Sequence, residues 1–353
     1  MPPLDLDRAL LLDACDETVK AVEAVEAASG GPPLPPGREL VLPGRGTTFV
    51  REVAGPPGAP VLVLLHGWTA CADLNWFRCY EPLGREFRVV ALDHRGHGRG
   101  LRTRRRFRLV DCADDVAAVA DLLGHERVVA VGYSMGGAVA QLLWRRHPDR
   151  VAGMVLAATA ATFSGTRQEQ LNFLGLGGIA LASRLAPASA RRRVAERVLA
   201  RRDRAYEDWA VAAMLRNDWR AILEAGHELG RFSAVRWLHE VDVPSAVVLT
   251  GDDHVVPVRR QLQLLAALPG ATAHVVPGEH DSCVTRPEAF VPKLLDACRS
   301  VSRRIDAPSR PAGGAVRPID GAARPQPPAT ASPSVRSPAA RSTARAAATT
   351  APA

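Results

Sequence analysis

The stretch RVVAVGYSMGGAVAQLLW, residues 127–144, decides how this chain is read. Its first part, RVVAVG, is a continuous apolar run of the kind that forms a strand buried on both faces. Its last part, GAVAQLLW, reads as an apolar helix. Between them lies Gly132-Tyr133-Ser134-Met135-Gly136, a G-x-S-x-G pattern. At such a junction the serine is forced into a strained turn that projects its hydroxyl, and the flanking glycines let neighbouring backbone pass close by. The pattern alone arises by chance in roughly one chain in ten of this size, so its placement between strand and helix carries the assignment.

The same kind of run recurs on either side, at PVLVLL (60–65), FRVVALD (87–93), VAGMVLAA (151–158), PSAVVLTG (244–251) and TAHVVP (272–277). Helical segments alternate with these runs: one capped by Asp111, others over about Met135–His147, Val258–Leu268 and Pro287–Ser300. Glu39–Leu42 and Thr47–Val53 suggest an opening antiparallel hairpin. The alternation predicts an α/β architecture, a doubly wound and mostly parallel sheet. The core is expected over residues 39–162 and 241–302. Residues 163–240 hold no strand-like run but three helix-like stretches with Trp209, Trp219 and Trp237, and an insertion of that length predicts a helical lid. Those tryptophans either line an acyl pocket or form the lid's own small core. Residues 1–38 read as a helix followed by a Pro/Gly linker. From 303 to 353 the chain is Pro, Ala, Ser, Thr and Arg with few large apolar side chains, a composition expected to be disordered.

Charge narrows the function classes. The net charge is +8, but eight arginines and only two acids lie from residue 303 onward, leaving 37 basic and 35 acidic residues in the body. A near-neutral body argues against a nucleic-acid surface across the folded domain. Six arginines crowd residues 99–108; with no aromatic interleaving beyond Phe107, a solvated loop is favoured over a site for an anionic substrate or nucleic acid. The six cysteines form no CxxC pair and no cluster with metal-ligand spacing, which fits reduced thiols in a cytoplasm. Asp5 and Asp7 interrupt the N-terminus where a signal peptide would need an apolar run, and no stretch reads as a membrane span.

A nucleophilic serine needs a base. Where a serine sits at such a junction, its partners come in the order serine, acid, histidine, the last from the loop after the final strand. Of ten histidines, only His280, in PGEHDSC, lies beyond that strand. The acid should come after the penultimate strand, where VVLTGDDHVVP offers Asp252 and Asp253. This loop resembles that of α/β-hydrolases, which often read G-x-x-D-x-x-V-P. The spacing from Gly251 is one residue short, and alignment on Val256-Pro257 favours Asp253.

The resemblance covers about residues 47–300. Leu65-His66-Gly67-Trp68 is similar to the family's His-Gly turn and points to the backbone NH of Trp68, with that of Met135, as the pair that would receive an oxyanion; His66 itself is expected to be structural. Asp93-His94-Arg95-Gly96-His97-Gly98 resembles a family turn whose usual following serine is replaced by Arg99 and Gly100. Ser134 sets the chain apart from dehalogenases and epoxide hydrolases, which carry Asp at that position. The resemblance implies a serine hydrolase acting on a carboxylic ester or lactone of a small acyl-bearing molecule, with no metal or organic cofactor and no nucleic-acid or membrane partner. A thioesterase, a C–C bond hydrolase, a cofactor-free haloperoxidase or a non-catalytic small-molecule binder would use the same fold.

Overall fold

The structure is a computed structural model that describes residues 30–167, 169, 171, 173 and 206–305. The expected N-terminal helix, the central part of the insertion and the tail beyond residue 305 lie outside the described residues.

Each apolar run becomes a strand. The hairpin is β1 (Gly37–Leu42) and β2 (Gly46–Val53), followed by β3 (Val61–Leu65), β4 (Arg88–Leu92), β5 (Val128–Tyr133), β6 (Val151–Ala157), β7 (Ser245–Thr250) and β8 (Thr272–Val276). They join into one eight-stranded sheet of order β1-β2-β4-β3-β5-β6-β7-β8. Only β1–β2 and β2–β4 are antiparallel; every pairing from β4 to β8 is parallel.

The helices, among the described residues, are α1 (Ala72–Trp76), α2 (Tyr80–Gly84), α3 (Leu109–Leu122), α4 (Met135–Arg146), α5 (Glu207–Leu215), α6 (Trp219–Arg231), α7 (Val258–Ala267), α8 (Ser282–Thr285) and α9 (Pro287–Ile305). Strand side chains alternate between faces, and the core divides accordingly. Val63, Leu65 and Ala130 face Val116 and Val119 of α3 and Ala138 and Leu143 of α4. Leu62, Leu64, Val129 and Val131 face Trp76 of α1 and Leu294, Cys298 and Val301 of α9. Runs apolar on both faces are therefore what a sheet sandwiched between helix layers requires.

Two boundaries differ from expectation. Asp111 does not cap α3: the helix starts at Leu109, and Asp111 lies in its first turn, where a carboxylate still complements the helix dipole. It and Asp115 receive Arg95 of the 93–98 turn, at 3.4 and 2.7 Å. The last helix continues past residue 302 to Ile305, because Arg304 donates to the carbonyls of Ser245 and Gly270, tying that helical turn to the sheet. Trp209 and Trp237 both pack against residues outside 163–240. Trp209 packs edge-on against Phe77 at 5.7 Å, and Trp237 stacks on Trp144 of α4 at 6.0 Å, so both fasten the insertion to the body.

Described cysteines 71, 79, 112, 283 and 298 are buried and form no disulfide. No described helix is long and apolar enough to cross a membrane.

Candidate active site

The turn between β5 and α4 holds Ser134 at φ 53°, ψ −116°, a left-handed conformation that costs a non-glycine residue about 1–3 kcal/mol. Surrounding hydrogen bonds enforce it. The Ser134 amide donates to the Ala157 carbonyl (2.9 Å), and its carbonyl accepts from the Gly137 amide (2.9 Å) and the Thr159 hydroxyl (2.7 Å). The two glycines of the pattern serve close packing. A methyl group at Gly136 would lie 2.0 Å from the Leu65 carbonyl oxygen, and one at Gly132 would lie 2.3 Å from that of Gly136. Nothing in the local sequence marks Thr159, which sequence reasoning missed.

His280, in the loop between β8 and α8, has Nε2 2.9 Å from Ser134 Oγ and Nδ1 2.8 Å from Asp253 Oδ2. Asp253 is buried beyond β7, while its neighbour Asp252 is exposed. Its carboxylate is fully engaged: Oδ1 accepts from the amides of Val255 and Val256 at 2.9 and 2.7 Å, and Oδ2 also accepts from the Thr250 hydroxyl at 2.7 Å. Burial pushes its pKa up, but the bonds from His280, Thr250 and Val256 outweigh it and hold the group below the usual carboxylate range. A charged Asp253 therefore accepts the hydrogen bond of the Nδ1–H, which leaves Nε2 to accept from Ser134.

The His-Gly turn lies beside the serine, since a methyl group at Gly67 would come within 3.3 Å of Ser134 Cβ. Among the described residues the backbone amides of Trp68 and Met135 have no acceptor. The Trp68 indole donates to the Ile222 carbonyl of α6 at 2.7 Å, so the insertion touches this turn directly. The structure thus brings Ser134, Asp253 and His280 into one hydrogen-bonded series and leaves both expected amides free.

His66 is occupied elsewhere. Nδ1 faces the Gly67 carbonyl at 2.8 Å and Nε2 accepts from the His94 amide at 2.9 Å. Its ring lies 4.4 and 5.2 Å from those of His94 and His97. Burial lowers all three pKa values, to about 4 for His66, about 3 for His97 and well below the usual value for His94. Both ring nitrogens of His94 are, among the described residues, buried without a hydrogen-bond partner. Among the described residues no group of three or more His, Cys, Asp or Glu is placed to hold a metal ion.

These neutral histidines set an acid limit on stability. The unfolded chain binds their protons as pH falls through the ordinary histidine value, whereas the folded chain resists down to about 4 for His66 and 3 for His97. Each therefore lowers stability by about 1.4 kcal/mol per pH unit inside that window. Urea unfolding midpoints are expected to hold near pH 7–8 and fall steeply from pH 6.5 to 4.5. A midpoint unchanged across pH 8 to 5 would contradict the neutral cluster.

The arginine-rich segment divides. Arg99 occupies the place of the family's serine and reaches Asp73 at 2.6 Å, while Arg104, Arg105, Arg106 and Arg108 are exposed, as a solvated loop would be.

Residues 60–177 match the family described as alpha/beta hydrolase fold. A poly(3-hydroxyalkanoate) depolymerase of Ectopseudomonas oleovorans is 27% identical over 268 residues, 74% of this chain and 92% of that protein. In fold, the chain resembles an enol-lactonase from Burkholderia xenovorans LB400 (TM-score 0.62, 22% identity, 74% and 99% of the two chains). It likewise resembles a thermophilic esterase from Thermogutta terrifontis (TM-score 0.62, 22% identity, 76% and 98%). The chain belongs to the α/β-hydrolase superfamily. In this α/β-hydrolase the sheet carries Ser134, Asp253 and His280 beyond the C-terminal ends of β5, β7 and β8, the end at which open α/β sheets form their sites.

Proposed function

We propose that this hydrolase cleaves a carboxylic ester or lactone through an acyl-enzyme on Ser134. The observation that carries the reading is the series Asp253–His280–Ser134, with hydrogen-bond distances of 2.8 and 2.9 Å. His280 Nε2 takes the Ser134 proton as Oγ attacks the substrate carbonyl carbon. The tetrahedral oxyanion rests on the amides of Trp68 and Met135. Collapse breaks the bond to the leaving alkoxide, which departs with the proton held on His280. In the second half His280 deprotonates water, which attacks the acyl carbon and frees the acid and Ser134. Asp253 stabilises the imidazolium formed in each half.

The esterase and the enol-lactonase support ester chemistry by fold alone, while the depolymerase matches over most of its length. The insertion at 163–240 acts as a lid, a reading supported by the bond from Trp68 to Ile222. A panel of p-nitrophenyl acyl esters and simple lactones, with a labelled fluorophosphonate in parallel, tests the proposal. Hydrolysis of at least one class and labelling at Ser134 are expected. Folded protein that neither labels nor turns over any ester would instead be a small-molecule binder on this fold.

A further inference from the structure

One buried side chain touches both halves of the site and has no part in the chemistry above. Asn75, on α1, is 7% exposed. Its Oδ1 accepts the Gly67 amide at 2.6 Å, and its Nδ2 donates to Cys283 Sγ at 3.4 Å. Gly67 precedes Trp68, whose amide faces the developing oxyanion in the proposed mechanism. Cys283 lies in α8, three residues after His280. From the opposite side, the Tyr133 hydroxyl donates to the His280 carbonyl, so the residue before the nucleophile grips the base's own backbone. α8 packs its buried Cys283 and Val284 in the same core as Trp76 of α1.

The peptide that carries the Trp68 amide is held at its Gly67 carbonyl by His66 Nδ1 at 2.8 Å, and the peptide before it ends in the Gly67 amide. The Gly67 amide points into protein, where a lost partner would leave a buried donor unsatisfied. Asn75 supplies an acceptor from a helix instead of from another loop, so Asn75 and His66 between them hold the two peptides that meet at Gly67 and with them the direction of the Trp68 amide. Oxyanion donors act only when aimed beforehand at the position the charge will occupy.

We infer that Asn75 is a positioning residue for this α/β-hydrolase: its side-chain oxygen sets the Gly67–Trp68 turn and thereby the oxyanion donor. Its second bond, to Cys283, ties that turn to the helix following His280. The inference rests on the serine-hydrolase reading of the site. It predicts a defect in turnover with binding spared, since the donor matters when charge develops on the carbonyl oxygen.

The test compares Asn75→Ala and Asn75→Asp with the wild type, using p-nitrophenyl butyrate turnover and the rate of fluorophosphonate labelling. Asn75→Ala is expected to lower kcat about 10- to 100-fold, the scale of a misplaced rather than a deleted donor, with KM within about twofold and labelling slowed in parallel. The pH midpoint of kcat/KM should not move, because His280 and Asp253 keep their partners. Asn75→Asp keeps the acceptor while losing the donor to Cys283, and should recover labelling to within a few-fold of wild type. If Asn75→Ala does not fold, Asn75→Leu, of the same branched shape and equally without an acceptor, carries the same expectation. A folded Ala or Leu variant that labels at the wild-type rate overturns the inference, as does an Asp variant impaired as much as Ala. Failure of the wild type itself to label would strike the serine-hydrolase reading instead, so the two failures are distinct.

Discussion

Replacing Ser134 by alanine is expected to abolish fluorophosphonate labelling and lower ester turnover by roughly 10⁶-fold, the scale at which loss of a nucleophilic serine leaves only binding and oxyanion stabilisation. The size of the effect comes from the geometry. Ser134 Oγ is the atom to which His280 Nε2 is directed at 2.9 Å, and nothing else in the hydrogen-bonded series is a nucleophile. The same residue carries the strained backbone of the turn, so its substitutions separate chemistry from stability. Alanine at φ 53° keeps the strain, and its stability should stay near wild type. Glycine relieves it and should gain on the order of 1 kcal/mol in urea unfolding while remaining inactive. Equal stability of the two variants would mean that the turn is not strained in solution. Labelling that persists in Ser134→Ala would place the nucleophile elsewhere.

The second large effect concerns the acid. Asp253→Asn is expected to reduce turnover about 10⁴-fold, because an amide facing His280 favours the wrong tautomer and cannot stabilise the imidazolium. Asp252→Asn should change turnover by less than about tenfold. The contrast is stringent because the residues are adjacent, and a crippled Asp252 variant beside an active Asp253 variant would reverse the assignment. Measured kcat/KM of both variants on one ester decides it. Burial sharpens the expectation: Asp253 accepts from two backbone amides, the Thr250 hydroxyl and the Gln261 side chain besides His280, whereas Asp252 is exposed.

How much of this was legible in the chain differs by element. The strands were readable because a parallel strand covered on both faces must be apolar at consecutive positions, and VLVLL or SAVVLT has no other use. Ser134 and His280 were readable because one is marked by its glycines and the other by its place after the last strand. The choice between Asp252 and Asp253 hung on a loop one residue shorter than the family's. The structure gives the reason for the register: Asp253 Oδ1 closes a side-chain turn onto the amides two and three residues on, Val255 and Val256, so the acid is held by the residues on its C-terminal side. Other features had no local signature. α1 and α2 are five residues each, too short for a periodic stripe. The importance of Asn75 and Thr159 lies in partners 8 and 25 residues away. Asp111 looked like a cap because an acid near a helix start is the usual sign of one, and only the backbone shows that the helix begins two residues earlier.

The attachments of α6 to the body share a property with consequences for redesign. Trp68 Nε1 grips the main-chain carbonyl of Ile222, Arg220 reaches the carbonyls of Thr103, Arg104 and Arg105, and the Asp218 amide donates to the carbonyl of Gly96. In each case one partner is peptide backbone, which every residue type supplies. These three contacts are therefore indifferent to the side chain at the backbone partner's end, whereas Arg106 and Glu228 meet through their side chains at 3.7 Å. The identity of residues 103–105 can change without losing the Arg220 bonds, whereas Ile222 is also held by the burial of its own side chain. The loop at 103–105 can therefore be rewritten in its side chains while the backbone contacts that join it to α6 stay in register.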